Sequence, residues 1–187
     1  MIKDYIKLIG LYNAMANSAY MSKLELLKLY REFIKEYIKV SKKVPDFYRD
    51  NHFYLNGNCY CYALMIPTPD VFNDSYNSKS KFAFSHDVGF LAGNEYSNDV
   101  GDCITNLKDD LEFLDISYYD SDIDEETKHN GYKIAFYKSL DDFHFLRENK
   151  DGTWSHKLGY DGKIVRVIPD DVILGDYKYV KTLELVK

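Results

Sequence analysis

The hydrophobic pattern of this 187-residue chain changes period once, near Tyr132, and that change limits the fold more than any other feature. Before it, apolar residues recur at helical spacing; after it, they alternate. Helices first and strands afterwards call for an α+β arrangement, with helices gathered against an antiparallel sheet.

In the helical part, Tyr5, Ile9, Tyr12 and Ala16 predict one amphipathic helix, interrupted at Asn17-Ser18. Ser22-Lys23-Leu24-Glu25 has the form of a capping box ahead of Leu26, Tyr30, Phe33, Ile34 and Tyr37, so a second helix returns as an antiparallel hairpin. Ser41-Lys42-Lys43-Val44-Pro45 ends it, which divides the chain into a hairpin extension, 1–45, and a main domain, 46–187. Asn56-Gly57-Asn58 marks a tight turn, and the apolar run 60–66 stops at Pro67 and Pro69, allowing a helix of about two turns. Segment 70–101 reads as a long loop with little regular structure. Another helix is expected from Asp102, with Asp102 as its N-cap and Ile104, Leu107, Leu111 and Leu114 facing inward. The acidic segment 120–126 reads as solvated. Strands are predicted at 132–138, 143–148, 153–158, 163–168 and 177–186, joined by polar turns as in a meander.

Charge and cysteine usage narrow the function classes. The net charge of −6, with carboxylates crowded into 109–126, disfavours nucleic acid as a partner. Three cysteines make an odd number, and Cys59 and Cys61 are too close in sequence to bridge well, so all three are read as thiols. Histidine and cysteine spacings predict neither a metal nor a cofactor. Asp120-Ser121-Asp122-Ile123-Asp124 opens like a calcium loop, but Glu125 stands where glycine is needed and Gly131 where the bidentate carboxylate belongs. No apolar stretch reaches membrane-span length, and the first residues lack the pattern of a secretory signal. A cytoplasmic location is the expectation, with release by lysis as a route out.

A cysteine in an apolar run is usually packing material, and a lone histidine on a strand is usually structural. Three positions stand out from that background. Gly57 permits a sharp turn, Asn58 has the side chain of an N-cap, and Cys59 falls in the first helical turn, where N–H groups and the helix dipole favour a thiolate. Cys61 lies about 200° farther round the helix and, between Tyr60 and Tyr62, reads as core; Cys103 reads the same way. Segment 141–157 has the pattern of a hairpin with His144 on one arm and His156 on the other. A three-residue loop, Lys150-Asp151-Gly152, pairs Asn149 with Thr153 and Leu146 with His156, which sets both imidazoles on one face as diagonal neighbours. A loop longer by one residue would turn them to opposite faces. In the first register the chain offers a thiol, a base and a group that orients the base. His52, His86 and His129 occupy polar loop sequence without such company.

Asn58-Cys59-Tyr60, His144-Phe145-Leu146 and Gly152-Thr153-Trp154-Ser155-His156 together resemble the motifs of papain-like cysteine peptidases of the NlpC and CHAP kinds. More narrowly, Asn58-Cys59-Tyr60-Cys61-Tyr62-Ala63, Asp142-Phe143-His144-Phe145 and Trp154-Ser155-His156-Lys157 are similar to a group of small bacterial and phage proteins. The resemblance spans residues 56–168. It implies a papain-like core with a helix packed on an antiparallel sheet, Cys59 as nucleophile, His144 as base and His156 as its orienter. Asn58 and the Cys59 backbone N–H would support the oxyanion hole. The substrate would be a peptide or protein amide, hydrolysed or transferred through a Cys59 thioester. From a different class comes a non-catalytic binding or inhibitor protein, phage-encoded, on the same scaffold with a silent site. Its contact surfaces would be the acidic run 109–126 and a partner-docking face on residues 1–45.

Overall fold

In the computed structural model, which describes residues 2–18, 20–41, 57–68, 86–160, 162–169 and 175–186, four helices precede six strands. They are α1 (Ile2–Ala16), α2 (Lys23–Ser41), α3 (Cys59–Ala63) and α4 (Val100–Phe113), then β1 (Ser117–Ser121), β2 (Tyr132–Lys138), β3 (Phe143–Glu148), β4 (Trp154–Lys157), β5 (Ile164–Val167) and β6 (Lys178–Val186). The expected α+β class holds. The boundary expected at residues 45 and 46, together with Pro69 and His52, lies outside the described residues.

The box before α2 forms as read. Ser22 N–H donates to Glu25 Oε2 at 2.8 Å, and Glu25 N–H donates to Ser22 Oγ at 3.3 Å. α1 lies antiparallel to α2, with Lys7 bonded to Glu36 and Tyr12 against Phe33. Its inward face is not the predicted one. Tyr5 and Ile9 are at least half exposed, while Leu8, Leu11 and Met15 pack inward. α1 is apolar around most of its circumference, so spacing alone does not select the row that meets α2. The N-cap of α4 is also corrected: Asp99, not Asp102, accepts from the Gly101 and Asp102 N–H groups. α3 is a single turn rather than about two.

The sheet is antiparallel in the order β1-β6-β2-β3-β4-β5. β2 to β5 follow the expected meander, but β6 returns to lie between β1 and β2, so the whole is not one. β1 occupies part of the segment read as solvated. It is an edge strand whose side chains stay largely in water, and its Asp120 pairs with Lys181 at 2.7 Å.

The strands bury different amounts on their two faces. Ile134, Phe136, Phe143, Phe145, Leu183 and Leu185 join one large cluster that also holds Tyr30 and Ile34 of α2, Tyr60 of α3 and Leu107 and Leu111 of α4. The hairpin extension therefore has no core of its own. On the opposite face, among the described residues, Ala135, Tyr137, Leu146 and Trp154 form a second, small cluster, with Ile123, Val167 and Tyr177 partly buried against it. Arg147, wholly buried, fastens α3 to the larger face. Its guanidinium lies 3.8 Å over the Tyr62 ring and donates to the Tyr62 carbonyl and hydroxyl at 3.2 and 2.8 Å. The Tyr62 hydroxyl also bonds Ser155 Oγ at 2.7 Å, tying α3 to β4.

Residues 86–99 lack regular elements, as expected for that stretch, yet much of the segment is buried. Asp110 of α4 holds it: the carboxylate accepts from Gly89 N–H, Ala92 N–H and Tyr60 O–H at 2.8, 2.6 and 2.7 Å. Within the acidic run 109–126, Asp110 is thus an interior residue, 0% exposed, with its carboxylate met by three donors.

Candidate active site

The mouth of α3 is built by two small residues. A Cβ on Gly57 would sit 2.6 Å from the Cys61 Cβ and 2.9 Å from Thr68 Cγ2, so only glycine fits. Asn58 is the N-cap, with Oδ1 accepting from Cys61 N–H at 3.1 Å. Its Nδ2 donates to the His86 carbonyl at 2.9 Å, which pins the helix start to the 86–94 turn. Cys59 is the first residue of the helix.

The β3–β4 hairpin adopts the shorter of the two registers. Asn149 N–H donates to Thr153 O at 2.7 Å, Gly152 N–H donates to Asn149 O at 2.9 Å, and Gly152 has φ +76°. Leu146 pairs with His156 and Glu148 with Trp154. His144 and His156 consequently share a face, and His144 Nε2 lies 2.8 Å from His156 Nδ1 with the rings nearly perpendicular.

β3 and β4 stop pairing beyond Leu146 and His156, and β4 bends away into the turn at Leu158, Gly159 and Tyr160. Cys59 sits at the resulting opening, with Sγ 3.9 Å from the Phe143 carbonyl. α3 packs on one face of the sheet and the imidazoles project from the other, yet Cys59 and His144 line a single cleft of about 420 Å³. Asp142 and Tyr177 stand at its edge, the Tyr177 hydroxyl donating to Asp142 Oδ2 at 2.5 Å.

Burial sets the protonation states. The Cys59 thiol is only 4% exposed, and burial pushes it up to about 12. The Phe145 N–H opposes that rise, Asp142 adds to it, and the N–H groups of Tyr60 and Cys59 oppose it again. His144 is pulled down to about 4 by burial first and by His156 second, against the charge of Asp142. His156 is lowered by burial. At neutral pH Cys59 is therefore a protonated thiol, and His144 and His156 are neutral imidazoles. This corrects the thiolate expected at the helix mouth: one turn of aligned peptides is too weak a dipole to offset the loss of water around sulfur.

The His144–His156 bond occupies Nε2 of His144, so Nδ1 is the His144 nitrogen outside that bond. When Nδ1 takes up a proton, Nε2–H donates to His156 Nδ1, and the imidazolium is held by that bond. His156 then carries its own hydrogen on Nε2.

The remaining candidates fall elsewhere. Cys61 is fully buried beneath α3 and burial raises its thiol. Cys103 is buried as well, its Sγ donating to the Ser97 carbonyl at 3.0 Å. His129 is paired with Glu184 at 3.2 Å, on the surface. His86 has neither a cysteine nor a second histidine among its hydrogen-bond partners in the described residues, but its setting is interior rather than the polar loop its sequence suggests. It is 1% exposed and held by burial near 4, and its ring meets the hydroxyls of Tyr30 and Tyr160 at 3.3 and 3.1 Å. Sequence reasoning missed the cleft's Asp87, Asp142, Tyr160 and Tyr177 as well. Asp142 stood two residues before His144 in the motif, whereas nothing singles out Tyr160 and Tyr177 among eighteen tyrosines.

Among the described residues no group of three or more His, Cys, Asp or Glu side chains is placed to hold a metal ion. No helix among them is long and apolar enough to cross a membrane. Comparison with family models, curated proteins and solved structures finds no match for this chain.

Proposed function

We propose that this chain is a papain-like cysteine hydrolase that cleaves, or transfers the acyl group of, a peptide or protein amide. The observation that carries the reading is the 2.8 Å bond between His144 and His156 on the side of the sheet that shares a cleft with Cys59. Because the thiol rests protonated, its proton passes to His144 Nδ1 as sulfur attacks the carbonyl carbon. The oxyanion is met by the Cys59 N–H, and Asn58 fixes that group by capping the helix. His144 returns the proton to the leaving amine, and a thioester remains on Cys59. Water, deprotonated by His144, then attacks the thioester carbon, the C–S bond breaks to release the acid, and His144 returns the proton to the Cys59 sulfur. An acceptor amine in place of water makes the enzyme a transferase. His156 orients the base throughout.

Iodoacetamide labelling at near-neutral pH tests this. Adduct is expected at Cys59, lost in Cys59→Ala and slowed about tenfold or more in His144→Ala, since positioned base catalysis is worth at least that much. Labelling confined to Cys61 or Cys103, or labelling of Cys59 indifferent to His144, would count against the enzyme.

A second reading is favoured by the burial of Cys59: a binding or inhibitor protein that keeps the scaffold with a silent site. On that reading Cys59 stays unlabelled in the folded chain, and a basic partner is retained by Cys59→Ala in a salt-sensitive way.

A further inference from the structure

The cleft beside Cys59 is charged on one side only. Asp87 and Asp142 both line it, whereas no lysine or arginine does among the described residues. Hydrogen bonds from Phe143 N–H and Tyr177 O–H fix the Asp142 carboxylate at the rim, at 2.7 and 2.5 Å. Nearby cations are turned away. Lys157 is wholly buried beneath the wall, its ammonium spent on the Gly159 and Tyr160 carbonyls. Lys138 is likewise buried and held by the carbonyls of Ser139 and Leu140 at 2.8 and 3.3 Å. Asp142 acts on Cys59, His144 and Tyr177, and Asp87 on Tyr160, all in the sense of a negative neighbour, although at His144 the opposing effect of His156 is the larger.

From this geometry we infer that the cleft selects a positively charged substrate, one with an ammonium or guanidinium group beside the bond that Cys59 attacks. A concave site lined by one sign of charge raises the local concentration of the opposite sign. The fitting ligand is a basic peptide segment: a lysine or arginine side chain next to the scissile amide, or a free amino terminus one residue away. The inference rests on the reading of Cys59 as a reachable nucleophile.

Paired thiol reagents test the selection without knowledge of the substrate. The cationic 2-(trimethylammonium)ethyl methanethiosulfonate and the anionic 2-sulfonatoethyl methanethiosulfonate react alike. The Cys59 sulfur, on losing its proton, attacks the sulfenyl sulfur, a mixed disulfide forms and methanesulfinate leaves. The measured quantity is the cationic-to-anionic rate ratio at Cys59, located by tandem mass spectrometry and divided by the same ratio for free cysteine. A normalised ratio of about ten or more is expected at low salt, the lower end of electrostatic focusing. It should fall in Asp142→Asn and in Asp87→Asn, and fall toward one in high salt. A normalised ratio near one for the unaltered chain overturns the charge selection and leaves the nucleophile standing. Failure of both reagents at Cys59 in the folded chain, with reaction restored by denaturant, overturns the nucleophile and the selection together.

Discussion

The two faces of the sheet are built to different standards. One lies under α2, α3 and α4 over a continuous buried cluster. The other, among the described residues, joins only four of its own apolar side chains into a cluster and is partly covered by segment 122–129, whose backbone meets Lys133 and Glu184. The thick face supplies Cys59 and the thin face supplies His144, bonded to His156, and Cys59 and His144 line one cleft where β3 and β4 separate. The thick face packs the Cys59 thiol, while on the thin face His144 borders the open cleft. Stability and access are thus assigned to opposite sides of the same strands.

Leucine truncations give the sharpest test of that division. Leu183→Ala, on the thick face, should cost about 4 kcal/mol, and Leu146→Ala, on the thin face, about 2–3 kcal/mol, because the thinner side can collapse into the space left. Denaturant midpoints measure both, and a larger loss at Leu146 would invert the comparison.

Acid titration separates the faces by sign. His144 lies near 4 instead of its ordinary 6.5, so it contributes stability above that ordinary value which is lost as pH falls toward 4, about 3 kcal/mol in all. Asp110, on the thick side, is raised from 3.8 to about 6 by burial, against the bonds from Ala92, Tyr60 and Gly89. Its contribution has the opposite sense: present below 3.8 and lost as pH rises through 6, again about 3 kcal/mol. Urea midpoints between these limits should fall less steeply with acid in His144→Gln than in the unaltered chain, and more steeply in Asp110→Asn. Equal slopes in all three would break the assignment.

The smallest effect belongs to the hairpin loop. Gly152→Ala meets no neighbour within 4 Å, so its cost is conformational, about 1–2 kcal/mol for a left-handed residue. If the register holds, iodoacetamide labelling at Cys59 persists at the unaltered rate. A loss of labelling far beyond the loss of stability would mean that the loop slips and parts the imidazoles.

Local chemistry made some of this legible beforehand. The sequence narrowed the register of β3 and β4 to two loops, and the structure adopts the shorter, in which Gly152 takes the left-handed turn and a pleat then fixes every side chain after it. The α3 cap followed from Asn58. What depended on distant parts of the chain did not show. β6 inserts beside β2 through pairing that no local pattern encodes, β1 is polar enough to pass for loop, and α1 buries Leu8 and Leu11 only because α2 meets that row. The thiol was misjudged for a related reason: the helix mouth is written in residues 57–59, but the burial that outweighs it comes from strands more than eighty positions away.

The wall of the cleft at Leu158 and Gly159 is tethered from beneath by Lys157, whose ammonium seizes the turn's carbonyls, while Leu158 itself is half exposed. Anchor and face are therefore separate inventions. The Leu158 side chain can be exchanged without disturbing the interior that fastens it, whereas Gly159, at φ +63°, holds the turn itself. The surface chemistry of this wall can thus drift at one position while the folded scaffold stays as it is.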